Sequence, residues 1–122
     1  MKDMKDILEE QGFTKEAKVH TEMEITNNPK AVLVLGYNPN DSMSKMFVKN
    51  LDKALLGVDG YDKVKIIALD SMENAQLIKK LGLGIPSVKL FKRGEELGGI
   101  GGKQMTEMKI SKFLREFRNK LV

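Results

Sequence analysis

The sequence predicts an α/β fold, a mixed central sheet flanked by helices. Three observations predict it. Residues 31–36, AVLVLG, are apolar on both faces, as a strand at the centre of a sheet must be. Strand-like runs at 63–69 and 87–92 alternate with stretches of helical period at 41–56, from Asp70 to about Leu81, and at roughly 105–121. The 122 residues contain no repeat, low-complexity tract or linker, so a single domain, 1–122, is expected.

Each element has a local reason. Residues 2–11 read as a short helix, with Met4, Ile7 and Leu8 on one face and Gly12 suited to the left-handed stop position. In KVHTEMEIT, 18–26, Val19, Thr21, Met23 and Ile25 alternate with Lys18, His20, Glu22 and Glu24, the pattern of a half-buried strand. NNPK is a turn. After the 31–36 strand, Asn40 or Asp41 caps a helix with the stripe Met43, Met46, Phe47, Asn50, Leu51, Ala54 and Leu55, and Gly57 ends it. VDGYD is a loop and KVKIIAL, 63–69, a strand. Asp70 and Glu73 have capping-box spacing for a helix to about Leu81, with Gly82 beyond it. Residues 87–92 form a strand, RGE a turn, and 96–101 a glycine-rich strand at a sheet edge, where glycines allow a bulge or a close backbone approach. The last helix buries Ile110, Phe113, Leu114, Phe117 and Leu121.

Composition removes several functions. With no cysteine, this chain has no disulfide, no thiol redox chemistry and no zinc–thiolate site. One histidine, His20, expected at the surface, cannot build a multi-histidine metal site; no metal or cofactor is expected. No apolar run is long enough to cross a bilayer, and the start MKDMKDILEE lacks the apolar core of a secretion signal. A cytoplasmic location and no membrane partner are therefore expected. The net charge of +4 permits weak attraction to acidic partners, although a solvated lysine surface is the plainer reading. Sparse aromatics argue against nucleic acid. Ser42 and Ser44 lack a base, so neither is read as a nucleophile. GGIGG, 98–102, lacks the lysine of a phosphate loop. Of Met43, Met46, Met72, Met105 and Met108, most are expected in the core; Met43 is the exception, exposed at a helix start.

From Ala31 onward the chain resembles thioredoxins. GIPSVKLFKRGEEL, 84–97, is similar to the family's Gly-Ile-Pro-Thr segment, hydrophobic strand and Phe-Lys-x-Gly-Glu turn. The resemblance implies a cis peptide bond at Ile85–Pro86 facing the active site. Ser44 lies 42 residues before Pro86 (86 − 44), close to the family spacing from second cysteine to proline. A gap-free overlay puts Asp41 on the first cysteine, Ser42 and Met43 on the intervening pair, Ser44 on the second cysteine and Leu35 on the buried helper acid. Both thiols and their proton-transfer partner are missing together. The N-terminal third, 1–30, departs from the pattern: a four-residue turn from a strand at 18–26 would force an antiparallel pair, or residues 14–26 are helical despite their alternation. A weaker likeness, LGYNPNDSMSKMF at 35–47, is to the cysteine-free loop of KaiB clock proteins, which binds partners.

The resemblance therefore implies a non-catalytic, redox-inactive thioredoxin-like adaptor. It would bind a protein or peptide beside Ile85 and Pro86, with Tyr37, Pro39 and Met43 as rim. Asp41 is read as a helix cap. The alternatives are an oxidoreductase whose cysteines are replaced in this chain, and a structural subunit of a larger assembly.

Overall fold

The computed structural model describes residues 20–62, 64–102 and 106–121. The elements are α1 (Met23–Thr26), β1 (Ala31–Tyr37), α2 (Ser42–Gly57), β2 (Lys65–Asp70), α3 (Ala75–Leu81), β3 (Ser87–Lys92), β4 (Glu95–Gly101) and α4 (Glu107–Phe117), followed by a 3₁₀ turn at Arg118–Lys120. The strands form one mixed sheet in the order β2-β1-β3-β4. β1 runs parallel to β2 and antiparallel to β3, and β3 and β4 form the hairpin. The predicted class and the helix-flanked mixed sheet both hold.

β1 is buried along its whole length, which is why its sequence is apolar without alternation. One side, with Leu33, Leu35 and Tyr37, packs against Phe47, Val48 and Leu51 of α2 and against Ile110, Phe113 and Leu114 of α4. The other side, with Val32 and Val34, meets Ile78 of α3 and Ile25 of α1. Phe47 is fully buried; truncating it to alanine would cost about 3–5 kcal/mol. Tyr61, in the loop after α2, donates its hydroxyl to the Leu114 carbonyl at 2.6 Å and so ties that loop to α4.

Several expectations change. Of the strand expected at 18–26, the described residues 20–26 form none: Met23–Thr26 is helical and buries Ile25 alone, and residues 18–19 lie outside the described residues. Period-two alternation misled because, among the described residues of the segment, Ile25 is buried and Met23 is exposed. His20 is not a surface residue. Its side chain is 8% exposed, with Nδ1 2.7 Å from the Glu24 carboxylate. Burial pushes the Glu24 carboxyl up, but the hydrogen bonds from His20 and the Thr21 amide outweigh it, and the group sits below its ordinary range. The α2 stripe is rotated from the expected one: Ser44, Phe47, Val48, Leu51 and Ala54 are buried, while Met43 and Met46 are exposed. The Asp70–Glu73 capping box caps a turn instead: Asp70 Oδ1 accepts from the Met72 and Glu73 amides at 2.7 and 3.1 Å, and α3 starts later. The expected 2–11 helix and Met105 lie outside the described residues. Gly82 has the left-handed conformation that ends α3. No helix among the described residues is long and apolar enough to cross a membrane.

Candidate functional site

Three turns meet at the carboxyl ends of β1 and β2, the position where open α/β sheets place their sites. Tyr37 pairs with Asp70, and Gly36 pairs with Ser87. The turn into α2, the turn after β2 and the loop before β3 are thereby brought to one end of the sheet.

The turn into α2 is closed by its own side chains. Asn38 Oδ1 accepts from the Asn40 amide at 2.9 Å. The Asp41 carboxylate caps α2, accepting from the Met43 amide at 3.4 Å and the Ser44 amide at 3.3 Å. The Ser44 hydroxyl is fully buried, donates to Asp41 Oδ2 at 3.3 Å and accepts from the Asn38 amide at 3.0 Å. Asp41 and Ser44, the positions overlaid on the two cysteines, thus spend their polar atoms on the backbone and on each other. A carboxylate already fills the positive end of the helix dipole, which leaves it no vacancy for another anion. Ser42 and Met43 are exposed between them, and Pro39 is half-buried. Leu35, at the helper-acid position, is fully buried among apolar side chains.

Tyr37 is not part of an exposed rim. It is 5% exposed and packs in the core between sheet and α2. Alternation along β1 decides this: Leu33, Leu35 and Tyr37 share a face, and that face lies under α2. Burial, reinforced by the nearby Asp70 carboxylate, pushes its phenol up to about 12.

The loop before β3 is built differently. The Ile85–Pro86 peptide bond is cis. Pro86 is buried, whereas Ile85 is 38% exposed. Ser87 Oγ donates to the Gly84 carbonyl at 2.8 Å, and the Gly102 amide donates to the Pro86 carbonyl at 3.1 Å. Ile85 between them is left out: among the described residues, neither its N–H nor its C=O has a partner.

Two glycines position this loop: Gly36, which sequence reasoning did not single out, and Gly101, in the edge strand where a close backbone approach was expected. A Cβ on Gly36 would stand 3.1 Å from the Gly84 carbonyl oxygen and 3.2 Å from Ile85 Cδ1. A Cβ on Gly101 would stand 2.5 Å from Ser87 Cβ and 2.7 Å from the Pro86 carbonyl oxygen. The signal was present, since Gly36 interrupts an otherwise apolar strand. On the β4 side of the loop lies a depression of about 390 Å³ lined by Gly84, Ser87, Gly99, Gly101 and Gly102. A larger one, about 890 Å³, lies at the other end of the sheet between Leu55, Val58, Tyr61 and Ile66. Asp59, Asp62 and Lys65 also line it, away from the three turns. No cluster of metal-ligating side chains occurs among the described residues.

No protein-family model and no curated protein sequence matches the chain. Solved structures do. A thioredoxin of Malassezia sympodialis superposes with a TM-score of 0.61 at 19% identity, over 81% of each chain. A structure from work on the thiol resolving mechanism of yeast mitochondrial 1-Cys peroxiredoxin superposes at 0.62 and 22% identity, over 78% of this chain and 85% of that one. Human ERp44 superposes at 0.64 and 19% identity; the match covers 86% of this chain and 30% of ERp44. The fold is therefore thioredoxin-like, in a chain without cysteine.

Proposed function

We propose that this chain is a non-catalytic, thioredoxin-like binding module that captures an extended segment of a protein partner along the Ile85 loop. The exposed Ile85, with backbone N–H and C=O both unpartnered among the described residues, carries the reading. An extended peptide supplies both missing hydrogen bonds by pairing as a strand, and such pairing needs no thiol. Leaving both groups unmade in a contact that excludes water would cost about 1–3 kcal/mol each, which gives a strand partner its advantage over a purely apolar one. Met43, 46% exposed at the start of α2, and Pro39 supply adaptable apolar surface. Pro86 shapes the loop from beneath. Tyr37 is left out of the rim because it is buried.

The test is capture of partners from native lysate by wild type, Ile85→Asp and Met43→Asp, each checked by circular dichroism. The reading expects a specific partner that Ile85→Asp loses and Met43→Asp retains weakly, with folding unchanged. Equal capture by all three proteins would move recognition to another face.

A further inference from the structure

The outer surface of the α2–α4 helix pair carries charge that the Ile85 loop does not use. Along α2, Lys45, Lys49 and Lys53 are exposed, and so are Met46 (55%) and Leu56 (79%). At about 100° per residue these five side chains fall within one arc of about 100°. Along α4, Met108 (81%), Lys112 and Arg115 share an exposed arc, with Lys109 beside it. Both helices turn their opposite faces into one core cluster and pack side by side on the sheet, so the two exposed arcs look outward together. Acidic groups on the pair are Asp52, half-buried, and Glu107 and Glu116 at the margins of the α4 arc. The result is a cationic surface from which three large apolar side chains protrude.

We propose that this surface docks an acidic, amphipathic segment of a protein partner. The cations select acidic side chains. The protruding methionines and leucine require apolar side chains between them, and methionine adapts to varied shapes. Nucleic acid and anionic lipid are disfavoured by one observation. Single-stranded nucleic acid is gripped by stacking on exposed aromatics, and interfacial membrane helices commonly anchor with them beside the charge attraction. Among the described residues Tyr37, Phe47, Tyr61, Phe91 and Phe113 are buried, and Phe117 is half-buried over Gly98. The surface is a separate contact from the Ile85 loop and does not depend on it.

The probe is a 16-residue helical peptide with glutamates flanking a leucine stripe, titrated into isotopically labelled protein at low salt and followed by amide chemical shifts. Saturable shifts confined to the outer residues of α2 and α4 are expected. Lys49→Glu/Lys112→Glu should weaken binding at least tenfold, Met46→Ser/Met108→Ser at least threefold, and Ile85→Asp not at all. The proposal is overturned by shifts spread over Lys65, Lys79 and Lys80 as well, or by full binding to the charge-reversed protein. It is equally overturned if the peptide with glutamine for leucine binds as tightly. Tighter binding of a single-stranded oligonucleotide, or of phosphatidylcholine vesicles containing phosphatidylserine, would also overturn it.

Discussion

The turn into α2 and the loop before β3 stand at the same end of the sheet and differ in one respect. The first satisfies its own backbone: Asp41 caps two amides and Ser44 a third. The second leaves Ile85 without a partner among the described residues. In a thioredoxin resemblance these are the reactive half and the recognition half of one site. Here the first is a structural cap, while the second keeps open hydrogen-bonding groups at Ile85. On the proposed reading, only the Ile85 side of this end of the sheet is open to a partner.

The widest test of that contrast is alkali. Burial raises both Tyr37 and Tyr61 to about 12, in Tyr61 against a lowering by the Arg118 charge. An unfolded tyrosine ionises near 10. The folded chain holds its phenolic protons where the unfolded chain has lost them, so their stabilisation is complete below pH 10 and disappears as pH rises towards 12. On the order of 2 kcal/mol for each tyrosine is at stake. Absorbance at 295 nm should show no tyrosinate at pH 10.5, then a rise coincident with unfolding. An ordinary titration near 10 in the folded protein would show that Tyr37 does reach solvent.

Gly101→Ala attacks the open half. Its Cβ cannot fit beside Ser87 and the Pro86 carbonyl, so the loop must move, at about 3 kcal/mol. Denaturant unfolding measures the loss, and partner capture should fall with it. Ser44→Ala attacks the closed half and leaves the Asn38 amide unpartnered, at about 1–2 kcal/mol. Asp41→Ala removes the cap for about 1 kcal/mol. Both closed-half variants should retain capture. If either loses it while folded, the contrast between the halves fails.

Much of this was legible in the sequence. An uninterrupted apolar run announced β1, and Asp41 before an amphipathic stretch announced the α2 cap. GIPSVKLF located the loop and β3 together. What stayed hidden depended on rotation and on long-range contact. Thr21 and Met23 fit a strand period as well as Ile25 does, but only Ile25 reaches the core. Tyr37 looked like a rim because it ends a strand, yet its side is set by the Leu33 and Leu35 alternation. The α2 stripe turned because Ser44, a polar residue, is drawn inward by Asn38 and Asp41. That rotation turned Met43 and Met46 outward.

The placement of sulfur has a consequence of its own. All five described methionines, Met23, Met43, Met46, Met72 and Met108, are exposed, and the chain has no cysteine. A peroxide therefore meets thioethers on the surface and none among the described core residues. Sulfoxide formation adds a polar oxygen where partners would rest and leaves packing intact, and reductases can reverse it. Oxidative damage to this protein should be read out in what it binds long before it is read out in whether it is folded.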